Sequence, residues 1–345
     1  QKQVSLCYKK LNMSKKNSNV ILKEGFKSHE ELSLIYRSLK KKLDYSKKKK
    51  FVVGVSGGPD SLALTALTKA YSLEKKCKIY YVLVDHNLRK NSSKEASQVK
   101  NLLKKHEISL KILTNKRVIN KNVQSQAREI RYDLLVKFCK KNKLNNILTA
   151  HNLEDQVETF FIRLSRGSGL DGLSSMKQIY NINSKISLSR PLLDVNKIQL
   201  KKISKIIFGK YFKDPTNNNK KYLRTRVRNL KKSLESSGIN YNQINKTINN
   251  LASRREKWKK YFNKIYNEIT QKDKKNIVIK IEKFKKLNKE MQMRVIKKSL
   301  KELTKSYYLQ RAKKINYLIA QILTKERLNY NLAGCLIMVE KNNII

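Results

Sequence analysis

Beyond residue 50, short apolar runs alternate with longer stretches of helical periodicity. Runs at 51–55, 79–84, 108–113, 146–150 and 186–190 read as strands, and 61–72, 92–105, 123–142, 153–166 and 195–208 read as helices. Strands separated by helices predict parallel pairing with crossovers, and hence a sheet covered on both faces. The expected fold class is α/β, a Rossmann-like parallel sheet with helices on both faces. After about Ser236 the pattern changes to helical runs at 241–270, 288–304 and 308–325, with short strand candidates at 277–282 and 332–339. Ser236-Ser237-Gly238 is the expected boundary, so a smaller, mainly helical domain is expected over 238–345. Residues 1–50 are Lys-rich and hold one amphipathic stretch, Leu32 to Leu43, expected as a lead-in helix. Met13 is a candidate start, with residues 1–12 upstream of it.

Lys and Arg number 79 against 26 Asp and Glu, a net charge of +53. Lys, Asn and Ile are abundant throughout, so part of this charge is a compositional bias. What remains favours a polyanionic partner, RNA or DNA before a membrane. No apolar run approaches the roughly 18 residues of a membrane span. Of the four cysteines (Cys7, Cys77, Cys139 and Cys335), none forms a C-x-x-C pair, and the four histidines have no metal-ligand spacing. Scattered cysteines suit a reducing compartment, so a cytoplasmic location is expected.

Three strand ends carry polar residues, where open α/β sheets bind ligands. The first is Ser56-Gly57-Gly58-Pro59-Asp60-Ser61, between the strand Phe51–Val55 and a helix-forming run. Glycines there let the backbone approach a ligand, and free N–H groups at the helix start form an anion site. The common nucleotide loop would place Gly at 59 and Lys at 60, where this chain has Pro59 and Asp60. A carboxylate beside phosphates implies an intervening cation, so Asp60 points to Mg²⁺. The second end is Asp85-His86-Asn87-Leu88-Arg89 and the third is Ala150-His151-Asn152-Leu153-Glu154-Asp155. Asp155 lies away from the apolar stripe of its helix. It is either a carboxylate favouring the helix N-terminus or a second ligand for metal or substrate. In Gln124–Tyr132, Arg131 falls about 40° from Ala127, near the predicted buried face, and calls for an anionic partner: a structural carboxylate, a phosphate or a catalytic carboxylate. Three glycines in 167–172 suggest a mobile or substrate-covering loop. Asp214-Pro215-Thr216-Asn217 reads as a turn leading to Tyr222-Leu-Arg224-Thr-Arg226-Val-Arg228, either a solvated basic helix or a nucleic-acid contact.

Together SGGPDS (56–61), VDHNLR (84–89), QAREIRY (126–132), AHNLEDQVETFFIRLSRGSGLDGL (150–173), RPLL (190–193) and DPTN…YLRTRVR (214–228) resemble the tRNA(Ile)-lysidine synthase family of the PP-loop ATP pyrophosphatase superfamily. Departures are Asn87 for a common Gly, Gln124 for Glu, Asn152 for a second His and Thr225 for Asn. The resemblance implies ATP-dependent ligation of free L-lysine to C2 of the wobble cytidine in tRNA(Ile) with a CAU anticodon. An adenylated cytidine is the intermediate, and AMP and pyrophosphate are released. It implies an ATP-binding catalytic domain over 51–237 and a tRNA-binding domain over 238–345. ATP would meet Ser56, Gly57, Gly58, Pro59, Asp60, Ser61, Asp85 and His86. Asp60 and Asp155 would hold Mg²⁺, Arg128 or Arg131 would act on the α-phosphate, and Arg224, Arg226 and Arg228 would grip tRNA. The expected partners are the tRNA and lysine, with no membrane and with a homodimer admitted. The alternatives are a tRNA thiolase of the same superfamily and a non-catalytic nucleotide- and RNA-binding protein.

Overall fold

The computed structural model describes residues 29–46, 48–88, 91–117, 119, 123–212, 223–273, 276–304, 312–340 and 342–345. Cys7, Arg89, the 214–217 turn and Tyr222 lie outside the described residues. Two compact units divide at Ala252/Ser253.

The first unit holds a six-stranded sheet. Its strands are β1 (Lys50–Val55), β2 (Lys78–Asp85), β3 (Leu110–Thr114), β4 (Asn146–Leu148), β5 (Ile179–Asn181) and β6 (Ser187–Ser189). The order is β3-β2-β1-β4-β6-β5, parallel except for the antiparallel β5–β6 pair. Strand β5, exposed along its length, carries no apolar run and was not expected from sequence. The helices are α1 (Glu30–Tyr45), α2 (Pro59–Lys75), α3 (Ser92–Lys104), α4 (Val123–Lys141), α5 (Leu153–Leu164), α6 (Leu170–Leu173), α7 (Lys197–Phe208), α8 (Leu223–Asn229) and α9 (Lys231–Ser236).

Alternation along β1 sorts its side chains onto two faces. Phe51, Val53 and Val55 join one core with α1, α2, α3 and α7, and Val52 joins the other with Leu135 and Cys139 of α4. Burial on both faces is what a parallel sheet needs, and it explains the continuous apolar run. The expected domain start at residue 51 falls too late. Leu32, Ile35, Leu39 and Leu43 of α1 are all buried in the first core, so the lead-in helix is part of this unit.

Helix α10 (Tyr241–Ile269) follows and carries the chain into the second unit, Ser253–Ile345. The Ser236-Ser237-Gly238 turn, expected as the boundary, links α9 to α10, and the compact units divide within α10 instead. The second unit is less purely helical than expected. It has α11 (Ile281–Lys285), α12 (Lys289–Thr304) and α13 (Ala312–Thr324). Its strands are β7 (Thr270–Lys272), β8 (Ile277–Lys280), β9 (Leu328–Leu332), β10 (Cys335–Glu340) and β11 (Asn343–Ile344). The strands form an antiparallel sheet in the order β7-β8-β11-β10-β9. The expected strand 332–339 is broken by a hairpin: Leu332 pairs with Cys335, and Ala333 and Gly334 both take positive φ, 59° and 78°. Two positive-φ residues make the tight turn whose twist matches its strands. Among the described residues no helix is long and apolar enough to cross a membrane.

Candidate active site

Strand order reverses at β1, which has β2 on one side and β4 on the other. Ligands in open α/β sheets bind outside the carboxyl ends at such a reversal. Two of the three polar strand ends read from sequence, Ser56–Ser61 after β1 and His151–Asp155 after β4, therefore lie on adjacent strands.

The loop after β1 is held open by glycine. Gly57 has φ +79°, and a Cβ there would lie 2.5 Å from Val99 Cγ2. Gly58 is the extended N-cap of α2, and Pro59 opens the helix, where its missing N–H costs nothing. The serine hydroxyls brace the loop: Ser56 N–H and Oγ–H both reach Ser61 Oγ at 3.1 Å, and Ser61 Oγ–H donates to Gly58 O at 3.0 Å. Helix α7 docks against this turn, with Ser204 Oγ–H donating to Pro59 O at 2.5 Å.

Asp60 stands in the first turn of α2, its side chain a quarter exposed. Its Oδ1 is buried and has no hydrogen-bond partner among the described residues. Burial pushes its pKa up to about 6, Lys197 opposes the rise, and the nearby carboxylates of Asp155 and Glu154 add to it. Asp155 shares a capping box with Asn152: its N–H donates to Asn152 Oδ1 at 2.9 Å, and Asn152 N–H donates to Asp155 Oδ2 at 3.2 Å. Asp155 is thus the helix-start carboxylate of the first sequence reading, and its charge also raises the Asp60 pKa. Among the described residues no group of three or more His, Cys, Asp or Glu is arranged to hold a metal. Two oxygen-donating carboxylates, one with a buried atom unsatisfied, fit a hard divalent cation that phosphate oxygens would complete.

The end of β2 differs from expectation. Asp85 is buried and spends its oxygens on its own loop: Asn87 N–H donates to Oδ1 at 2.9 Å and Ser93 Oγ–H to Oδ2 at 2.7 Å. Burial raises its pKa, but these donors outweigh burial and leave the carboxyl below its ordinary value. Asp85 therefore shapes its own loop. Asn87 has φ +52°, the left-handed conformation its side chain tolerates. His86 is driven down to about 4, by burial first and then by Arg131. The neutral ring accepts from Arg131 at Nε2, with Nε at 3.4 Å and Nη2 at 3.3 Å.

Arg131 is exposed, contrary to the expected near-buried placement. The buried stripe of α4 runs through Ala127, Ile130, Leu135 and Cys139, and the long Arg131 side chain leaves it for His86. Arg128 lies over the Tyr132 ring at 5.0 Å. Arg128, Arg190 and Arg224 all act on His151, whose pKa is lowered, chiefly by burial. The sequence left Arg128 and Arg131 as alternatives; Arg131 contacts His86, and Arg128 lies over Tyr132 and adds to the positive potential at His151.

Arg224 and Arg228 prove to be ion-paired. Both meet Glu158 of α5, whose side chain is only 2% exposed: Arg228 grips it with Nε–H to Oε1 at 2.7 Å and Nη2–H to Oε2 at 3.1 Å, and Arg224 Nε lies 3.2 Å from Oε2. Arg224 Nη2–H also donates to Thr159 Oγ1 at 3.2 Å. Burial raises the Glu158 pKa, and Arg228 restrains the rise. Of the three arginines read as a tRNA grip, Arg226 alone is exposed and turned from this cluster. The glycine loop after α5 is also tethered: Arg163 Nη1–H donates to Gly172 O at 2.7 Å and Ser175 O at 2.9 Å.

Sequence reasoning passed over Glu158, Arg190 and Lys197. Glu158 follows Asp155 by one turn, a spacing that could have flagged it. Lys197 Nζ lies 4.0 Å from Asp60 Oδ2 and has no sequence signal, because the two come from helices far apart in the chain.

A glycine turn feeding a helix at the sheet's reversal point, with Asp in place of the usual Lys, is how a PP-loop domain is built, and residues 31–234 match the PP-loop domain family. Two tRNA(Ile)-lysidine synthases match nearly the whole chain. That of Wolbachia pipientis wMel is 34% identical over 85% of this chain and 69% of its own length, and that of Wolbachia sp. subsp. Brugia malayi (strain TRS) is 33% identical over 83% and 67%. The chain belongs to the tRNA(Ile)-lysidine synthase family. Among solved structures, the U34-tRNA thiolase NcsA of Methanococcus maripaludis superposes with TM-score 0.55 at 19% identity, covering 64% of this chain and 79% of that one; the likeness is one of fold.

Proposed function

We propose that this chain ligates free L-lysine to C2 of the wobble cytidine of a CAU-anticodon tRNA(Ile), consuming ATP and releasing AMP and pyrophosphate. Family membership supports the reading, and the observation that carries it is Asp60, buried and unsatisfied at Oδ1 in the 56–61 turn, with the Asp155 charge acting on it. The cytidine C2 oxygen is a poor leaving group. Attack of that oxygen on the ATP α-phosphorus, with loss of pyrophosphate, converts it to a good one. The lysine ε-amine then adds at C2, and AMP departs with the oxygen.

The turn's backbone amides and the start of α2 hold phosphate charge. Asp60 and Asp155 would hold Mg²⁺, which neutralises the triphosphate when bound. Arg128, whose charge reaches His151 and which His86 does not engage, is the arginine for the α-phosphate; Arg131 orders the β2 loop through His86. Lysine must lose a proton to attack, since with a pKa of about 10.4 only roughly one amine in a thousand is neutral at pH 7. Asp155 is the carboxylate that would attract the ammonium and take its proton; Glu158, one turn on, is already held by Arg228 and Arg224. Exposed Arg226 of the first unit and, independently, the second unit are the proposed tRNA contacts. ATP–pyrophosphate exchange tests the first half-reaction: it should require the tRNA and proceed without lysine.

The thiolase alternative fares poorly on the cysteines that are described. Cys139 lies fully buried in the apolar core between α4 and the sheet, its thiol pushed up to about 11 by burial. A sulfur-transfer thiol needs the opposite, an accessible thiolate. Replacing Cys77 and Cys335 with Ala should leave lysidine formation within about twofold of the parent. Cys139→Ser should cost about 1–2 kcal/mol of stability in denaturant titration, from burying an extra hydroxyl. Loss of turnover in a folded Cys77→Ala, Cys335→Ala protein would restore the sulfur reading.

A further inference from the structure

The 56–61 turn lacks the lysine with which the common nucleotide loop meets the β- and γ-phosphates; Asp60 stands in its place. The structure brings a lysine to the same spot from elsewhere in the chain. Lys197 is the first residue of α7, and its Nζ lies 4.0 Å from Asp60 Oδ2 with a third of the side chain exposed.

The placement is fixed from several directions. Asn196 and Gln199 form a capping box that defines where α7 begins. Glu154 Oε2 accepts from the Lys197 backbone N–H at 2.8 Å, tying that start to α5. One turn and more along α7, Ser204 bonds the Pro59 carbonyl, which locks α7 against the very turn that carries Asp60. The Lys197 ammonium is therefore delivered to the loop by a rigid helix. Its contact with Asp60 is long and single, weaker than a close pair, so the ammonium is available to a stronger anion.

We propose that Lys197 binds the β- and γ-phosphates of ATP and neutralises the departing pyrophosphate, supplying from another helix of the chain the charge that the loop itself lacks. The proposal rests on the adenylation reading above. In that step the bond between the α-phosphorus and the bridging oxygen breaks, the electron pair leaves with pyrophosphate, and the new bond forms to the cytidine C2 oxygen. Lys197 stays protonated throughout and acts through charge and hydrogen bonding. Because the ammonium is aimed at the phosphates that leave, it discriminates ATP from AMP.

The test is calorimetric binding of ATP and of AMP to the full chain, with ATP–pyrophosphate exchange in parallel. Lys197→Met should weaken ATP binding at least tenfold, leave AMP binding unchanged and slow exchange. Lys197→Arg should restore most of the ATP affinity. A parallel fall in ATP and AMP affinity would assign Lys197 a purely structural part in holding the loop, and unchanged ATP affinity would remove it from the phosphate site; either overturns the proposal. Nucleotide binding is read without tRNA or lysine, so failure of Lys197 is distinguishable from failure of the lysidine reading, which would appear as parental protein that binds ATP but does not modify tRNA.

Discussion

Asp60→Asn should abolish tRNA-dependent ATP–pyrophosphate exchange, by about 10²–10³-fold or more, in a protein that folds as well as its parent. The asymmetry follows from what Asp60 does in the structure. Lys197 lies 4.0 Å from its Oδ2, and its buried Oδ1 is unsatisfied among the described residues. Burial and two neighbouring carboxylates disfavour its charge, which raises its pKa to about 6. A group held charged against its surroundings contributes little to the fold and persists at sites where the charge is used. The amide keeps the shape and removes the unfavourable charge, so thermal unfolding should occur at the parental temperature or slightly above. Exchange and unfolding on the same preparation check both halves. An active variant would remove Asp60 from the chemistry, and an inactive but unfolded one would make it structural.

Glu158→Gln should have the opposite signature, a large loss of stability. Glu158 is 2% exposed and receives two hydrogen bonds from Arg228, with Arg224 Nε at 3.2 Å. Removing one partner of a buried ion pair leaves the other charge uncompensated, at a cost of about 3–5 kcal/mol. Arg224 and Arg228 are 41% and 31% exposed, so both regain water and the cost falls to about 2–3 kcal/mol. For a unit of this size that is roughly 5–10 °C in unfolding temperature. Arg228→Met should lose a comparable amount, and the double variant should lose less than the sum, because the two changes break one interaction. Full additivity in this cycle would mean that the pair is not energetically coupled.

These two residues mark where the sequence is readable. Asp60 stands out because it occupies a position where a phosphate loop would carry lysine. Glu158 does not stand out, because its meaning depends on Arg224 and Arg228 on α8, far along the chain. The five parallel strands were legible from short apolar runs alternating with stretches of helical periodicity. Angular position on a helix was less secure. Arg131 lies close to Ala127 on a helical wheel, yet its long side chain carries the guanidinium out of the apolar stripe to His86. The 332–339 run looked continuous because alanine gives no hint of a positive φ, and the hairpin at Ala333-Gly334 emerges only with the pairing of β9 and β10. Asp85 looked like a ligand at a strand end, and only its two donors reveal that it is already satisfied. Local patterns fix which elements form; partners brought in by the sheet order decide what each polar side chain does.

The ligation itself is tested most directly by nucleoside mass spectrometry. Unmodified tRNA(Ile) with a CAU anticodon, ATP, Mg²⁺ and isotopically labelled lysine are incubated with the full chain, and the tRNA is digested to nucleosides. The account predicts one new nucleoside, cytidine plus lysine less one water, carrying the label and formed in step with AMP. Unlabelled product, a sulfur-containing nucleoside, or AMP formation with no change in the tRNA would contradict it.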